Sequence, residues 1–297
     1  MRACSAQGHR RSPMLQLFGI QALLWSGLVT PSSAFFEYGS NVHALKSSND
    51  FKRWVTNSSF LVMASFYREG CGFCALLTEP WEKAATDLKH MVHFVAIDTE
   101  KDSKLASKVA QKYGIEIKGV PTIVAFTPKA KNPIPYNGER TAAAIKGFAT
   151  NTMPDFVARL KPETYQAWSD YSSDTTRKVI LFSEKASPAS LLKAISSEFR
   201  DRVSFGLAPK SSFSVLAKSY GVDSFPTLVA LRRPADAFED DAWAHKHFGE
   251  TQFSKMALTA EAKPTFRSLE FWVMPFARAP RSAKQKPKKR VAKGSEL

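Results

Sequence analysis

The apolar positions of this chain gather into short unbroken runs, and between those runs they recur every three or four residues. The first pattern marks strands buried on both faces; the second marks helices packed along one side. "NVHAL" (41–45) reads as a short strand, "SSNDFKRWV" (47–55) as a helix capped by Ser and Asn, and "FLVMASFY" (60–67) as a fully buried strand. The spacing predicts a helix from Cys71 to about Leu88, kinked near Pro80. "MVHFVAID" (91–98) is a strand and "SKLASKVAQKYG" (103–114) a helix ended by Gly114. "PTIVAF" and "PIPY" give two last strands, and "RTAAAIKGFA" (140–149) a closing helix. Strands alternating with helices indicate an α/β layer fold.

The same order then repeats. "DFVARL" (155–160), "KVILFS" (178–183) and "RVSFGLA" (202–208) read as strands. "PASLLKAISSEF" (188–199) and "SFSVLAKSYG" (212–221) read as helices, and Pro162 opens "PETYQAWSDY". "TLVALRR", "HKHFG" (245–249) and "TQFSKMALTA" (251–260) finish the copy. "KYGIEIKGVPTIVAF" (112–126) is echoed by "SYGVDSFPTLVAL" (219–231), and "YNGERTAAAIKGF" (136–148) by "HFGETQFSKMALT" (247–259). The second echo sets 251–260 opposite the first copy's closing helix. The separation is one domain length, so the pattern is a tandem duplication and not a short-period solenoid. It places one domain at 35–152, a second at 153–263, an aromatic extension at 264–277 and a tail at 278–297.

With 44% hydrophobic residues in 297, wholesale disorder is excluded. The net charge of +15 is unevenly spread, and that changes the picture at both ends. Residues 1–34 open with Arg2, Arg10 and Arg11, continue into the apolar run 14–29 and end in "PSSA", which reads as a signal peptide cleaved after Ala34. No later stretch is long enough to cross a bilayer. The tail carries eight Lys or Arg against Glu296 alone. The body between needs no polyanionic partner, so no nucleic acid is expected; behind a leader, the tail suits anionic surfaces or acidic clients. The chain ends Gly-Ser-Glu-Leu, which shares Glu-Leu with the endoplasmic-reticulum retention signal. That ending points to the lumen of the endoplasmic reticulum, with secretion as the alternative. Asn57-Ser58-Ser59 is an N-glycosylation sequon.

Cys4 leaves with the leader, so Cys71 and Cys74 are the remaining thiols. A structural zinc wants four ligands, and no second Cys pair accompanies them; His245 and His247 lie in the second copy. No metal and no cofactor are expected. As a staple, a Cys-x-x-Cys disulfide closes too small a loop to stabilise much. Chemistry is the better reason for the pair.

"FYREGCGFC" after a buried strand, "YGIEIKGVPT" with Pro121 and "YNGERT" with Arg140 resemble the protein disulfide isomerase family of thioredoxin-fold proteins, over about 40–262. The resemblance implies two tandem thioredoxin-like domains, each a central mixed sheet flanked by helices, the first catalytic and the second without thiols. It implies a redox-active disulfide between Cys71 and Cys74, with Cys71 as nucleophile and Cys74 as resolving thiol, a cis Pro121 shaping the substrate contact, and Arg140 assisting proton transfer. A Cys in the first turn of a helix faces unpaired N–H groups and the positive end of the dipole, which stabilise a thiolate.

The sequence also departs from the family. Relatives carry Trp-Cys-Gly-His-Cys; here Gly70 replaces the Trp and Phe73 the His, with Gly72 unchanged. Arg68 favours the thiolate and Glu69 opposes it. A buried acid and its Lys partner in relatives fall on Ser65 and Ala96, so both members of that pair are missing. The expectation is thiol–disulfide exchange, an isomerase or oxidoreductase acting on disulfide-containing or unfolded clients with an upstream oxidase or reductant. The alternative is a chaperone or escort that holds clients through the second domain and long-lived mixed disulfides.

Overall fold

Leu61–Tyr67 (β2) is buried along its whole length, and the first sheet forms around it. The computed structural model describes residues 40–129, 132–172, 176–232, 247, 253–259 and 264–277. Residues 1–34, expected to be a signal peptide and holding Cys4, residues 278–297 with the Gly-Ser-Glu-Leu sequence, His245 and most of "HKHFG" lie outside the described residues. Val42–Ala44 (β1) is followed by Ser48–Phe51 (α1), where Ser47 caps the helix by accepting from the Asp50 amide. Lys52–Thr56 continues α1 as a π-helical turn, so the helix expected over 47–55 changes its winding midway. Gly72–Asp87 (α2), Val92–Asp98 (β3), Ser103–Tyr113 (α3), Thr122–Phe126 (β4), Ile134–Tyr136 (β5) and Ala142–Thr152 (α4) complete the first half. Gly114 ends α3 at φ +63°, a left-handed conformation that a residue without Cβ adopts freely.

The strand order is β1-β3-β2-β4-β5. β1 and β2 run parallel to β3, while β4 runs antiparallel to β2 and β5 to β4. The sheet is mixed because α2 returns the chain for a parallel pairing, whereas the last two strands double back. Leu61, Met63 and Tyr67 face one layer, shared with Cys74, Leu77 and Trp81 of α2 and Ile145 of α4. Val62, Ala64 and Phe66 face the other, shared with Phe51, Leu105 and Val109. Trp81 is fully buried and meets Phe94 of β3 edge-on at 5.0 Å between ring centroids. Such an aromatic pair adds about 0.5–1.5 kcal/mol beyond burial, and it anchors α2 to the sheet.

Val157–Arg159 (β6), Pro162–Ser169 (α5), Arg177–Ser183 (β7), Ser190–Glu198 (α6), Val203–Pro209 (β8), Lys210–Ser219 (α7), Thr227–Leu231 (β9), Phe253–Ala257 (β10) and Phe266–Val273 (α8) build the second half. Its sheet order, β6-β8-β7-β9-β10, repeats the first, with the same parallel and antiparallel pairings. Two five-stranded mixed sheets flanked by helices confirm the expected fold class.

One element differs from expectation. The segment 251–260, set by the echo opposite a closing helix, instead forms β10, paired antiparallel with β9 from Phe253↔Leu231 to Ala257↔Thr227. The helix on that face comes from the aromatic extension. Phe266, Leu269 and Val273 of α8 are buried at helical spacing, and Thr265 and Ser268 cap each other across its first turn. The reason is packing. β9 leaves an edge that β10 satisfies, and only the later segment has an apolar stripe wide enough to cover the sheet. The halves meet where Phe60 packs on Phe266 at 5.6 Å, the Ser197 hydroxyl donates to the Ser59 carbonyl and the Ser59 hydroxyl donates to Glu198.

If α8 is core, Leu269→Ala will cost about 2–5 kcal/mol in urea unfolding, while Phe271→Ala on its exposed side will cost under about 1 kcal/mol. Equal, small effects would show α8 to be a surface appendage.

Candidate functional site

β2, the central strand, carries the chain to its C-terminal end, and residues 68–71 turn it into α2. Gly70 makes that turn at φ +74°, with no atom within 4 Å of where a Cβ would stand. The constraint is conformational: an L side chain at that φ is strained, and glycine adopts it freely. Cys71 is the N-cap of α2. Its Sγ accepts the Cys74 amide at 3.2 Å and lies 3.6 Å from the Val120 carbonyl, to which the thiol donates.

The two sulfurs are free in this structure and differ in environment: Cys71 is half-buried, Cys74 buried. The Cys71 thiol is held below its ordinary range, first by the hydrogen bond from Cys74, then by the Cys74 and Phe73 amides and the Arg68 guanidinium, against the opposing effect of burial. Burial and the bond to Cys71 push the Cys74 thiol up to about 11, with the Arg140 charge pulling the other way. Arg140 also donates to the Pro121 carbonyl at 3.4 Å, tying the closing helix's approach to the loop that faces the thiols. The Val120–Pro121 peptide is cis, in line with the resemblance. Glu69 is paired with Lys101, and Arg68 with Glu100 at 3.3 Å, so the charges flanking the motif are largely spoken for by each other. Gly72 is exposed in the first turn.

Ser65 is 1% exposed and its hydroxyl has no hydrogen-bond partner among the described residues. It lies on the β2 face that carries Met63 and Tyr67, the face packed against the layer holding Cys74. Across the ladder Ser65 pairs directly with Ala96. The two positions at which the resemblance implies an acid and a Lys are thus neighbours here, and neither carries a charge. Asn57 is exposed at the end of the π-helical turn. Sequence reasoning missed the Val120 carbonyl and Leu76, which is 74% exposed one turn beyond Cys71. The signal for Leu76 was present as an apolar residue off the buried stripe of α2.

A groove of about 580 Å³ lies over Cys71, lined by Arg68, Phe73, Ile117, Gly119 and Val120. The second half has the same layout without sulfur. Phe225–Pro226 is also cis, and an apolar pocket of about 340 Å³ beside Pro226 is lined by Leu181, Leu191, Leu192, Leu228 and Leu269. Among the described residues no three His, Cys, Asp or Glu side chains cluster to hold a metal, and no helix is long and apolar enough to cross a membrane.

Residues 41–151 match the thioredoxin family model. The chain is 42% identical over 123 residues to protein disulfide-isomerase 2-3 of Arabidopsis thaliana, covering 41% of this chain and 26% of that protein. It is 30% identical over 251 residues to protein disulfide-isomerase A6 of Homo sapiens, covering 71% of this chain and 56% of that one. It is also 30% identical over 166 residues to a mitochondrial thioredoxin domain-containing protein of Schizosaccharomyces pombe, covering 54% and 44%. The chain spans between a quarter and just over half the length of these three relatives.

Alkylation will separate the two thiols. Because the thiolate reacts and the Cys71 thiol is held below its ordinary range, its iodoacetamide rate will rise with pH through a midpoint below that of an ordinary thiol. In a Cys71→Ser variant the burial of Cys74 remains, so Cys74 will stay less reactive at neutral pH than Cys71 is in a Cys74→Ala variant. Two thiols with one shared midpoint would contradict this assignment.

Proposed function

We propose that this chain, a thioredoxin-like member of the protein disulfide isomerase family, exchanges thiols for disulfides in client proteins through Cys71 and Cys74. The observation that carries the reading is the asymmetry of the pair at the N-terminus of α2: an accessible sulfur held by amides and lowered in pKa, beside a buried one raised to about 11. The Cys71 thiolate attacks one sulfur of a client disulfide, and the other client sulfur leaves as a thiolate that takes up a proton. Cys74, once deprotonated, attacks the Cys71 sulfur, closes the intramolecular disulfide and releases the second client thiol. Two electrons pass to the client. Run backwards, the steps oxidise a client dithiol, and release before closure rearranges bonds, so an upstream oxidase or reductant sets the direction. Pro121 shapes the wall the client backbone meets, and Arg140 eases loss of the Cys74 proton. The reading carries no cofactor.

The uncharged Ser65–Ala96 pair leaves Cys74 without a carboxylate to receive its proton. Resolution is therefore slow and mixed disulfides persist. Phe73 cannot supply the hydrogen bond that a His between the cysteines gives the thiolate, which makes this pair a weaker oxidant than the His-containing type. We place the protein in the secretory pathway, in the endoplasmic-reticulum lumen, on its likeness to protein disulfide-isomerase A6. A second reading, a chaperone that holds clients, is favoured by the apolar pocket beside Pro226.

Insulin reduction and scrambled-ribonuclease refolding test the enzyme. Cys71→Ser will abolish both; aggregation suppression that survives Cys71→Ser would favour the holding role. The yield of trapped mixed disulfide will be nearly the same in wild type and Cys74→Ala, and a large rise in the variant would refute slow resolution. A measured reduction potential as oxidising as that of His-containing relatives would overturn the role given to Phe73.

A further inference from the structure

We propose that the outer face of α8, together with the basic sequence that follows it, docks on an anionic lipid surface. Phe271 and Met274 enter the bilayer interface, and the cations from Arg278 onward hold the headgroups. This surface is separate from the thiols: α8 meets the first half at Phe60, ahead of β2, whereas Cys71 follows the far end of that strand.

The two sides of α8 differ. Phe266, Leu269 and Val273 are buried, and Phe266 packs on Phe60 and on the ring of His90. On the opposite side Phe271 is 81% exposed and Met274 53% exposed. Met274 keeps helical dihedrals (φ −51°, ψ −42°) as it opens the 3-10 turn Met274–Ala277, so the two side chains stand three apart on one continuous face. Arg267, four residues before Phe271, shares that face and pairs with Glu270 at 2.8 Å. Among the described residues of the second half, the other exposed large apolar side chains are Phe156 and Val215. The Arg200 guanidinium lies 4.8 Å over the Phe156 ring, and Val215 stands by itself on α7. Phe271 and Met274 are the pair that stands together.

Two apolar side chains are too small a surface to hold a protein partner or a bilayer unaided. The charge joined to them decides the occupant. Ala277 is followed directly by Arg278, and residues 278–297 hold eight Lys or Arg against Glu296, which is seven of the chain's fifteen net positive charges. An apolar wedge contiguous with a polybasic run supplies the two signals that lasting attachment to an anionic bilayer requires. An acidic polypeptide would meet the charge and give the apolar pair nothing to enter. A second copy of this chain would bring the same positive charge and repel it.

The test uses residues 35–297, which hold every described element and leave out the apolar run 14–29. Co-sedimentation is measured with vesicles of phosphatidylcholine alone and with about 30% phosphatidylserine added, a strongly anionic surface. Wild type will bind the anionic vesicles and not the neutral ones, and molar salt will release it. Phe271→Ser with Met274→Ser will weaken binding about 10-fold. Lys286→Gln, Lys288→Gln, Lys289→Gln and Arg290→Gln together will weaken it about 100-fold. Val215→Ser, which removes an equally exposed apolar side chain from α7, will leave it unchanged. Anionic binding untouched by the Phe271→Ser, Met274→Ser pair would reduce the contact to the charge of 278–297 and overturn the proposal, as would binding untouched by the four Gln substitutions. Absence of anionic binding would overturn it too, and two further measurements would then say what the surface takes. Polyglutamate bound by wild type and less by the Ser pair would assign it to an acidic polypeptide. A dimer in sedimentation that the Ser pair makes monomeric would assign it to a second copy.

Discussion

The site depends on one interaction: the free amides at the start of α2 pointing at the sulfur of Cys71. A helix leaves its first N–H groups without intrahelical partners, and here the Cys74 amide reaches the sulfur at 3.2 Å. That geometry exists only because α2 is held rigidly. Trp81 locks against Phe94, the buried run of β2 fixes where the chain enters, and Gly70 supplies the left-handed turn between them. Loosen any of these and the amides no longer converge on one atom. The same packing buries Cys74 one turn in, which raises its thiol while the amides lower its neighbour's. One helix end therefore generates both halves of the asymmetry between the two thiols.

The two halves of the chain share a frame and diverge in surface chemistry. Each has a parallel core, an antiparallel flank and a cis proline ahead of its fourth strand. In the first, the loop with that proline faces sulfur. In the second, the corresponding place is an apolar pocket closed partly by Leu269 of α8. α8 also touches the first half through Phe266 and Phe60, so the segment that completes the second layer is the one that joins the halves.

The pairing of Ser65 with Ala96 keeps the buried ladder beside α2 free of charge. A lone carboxylate or ammonium at either position would be buried without a counter-ion, at a cost of several kcal/mol. The ladder makes the two positions direct neighbours, so removing both charges leaves only a small hydroxyl to satisfy. Stability favours that exchange; the departure of a proton from Cys74 does not.

The local code was enough for every strand but β10, for the capped helices and for the place of Cys71 at the start of α2, because buried runs, caps and glycine stops act over a few residues and survive any context. The repeat located Pro121 and Pro226 in matching places. It failed at 251–260, where resemblance to the first copy suggested a helix. Whether that segment pairs with β9 is settled by an open sheet edge far back in the chain, and whether 266–273 covers the sheet is settled by the space left over. Neither quantity is written in a local window. The same holds for the Val120 carbonyl 3.6 Å from Cys71 and for the outward face of Leu76: which atoms meet across 49 residues of chain, and which side of a helix stays in water, are decided only when the layers close.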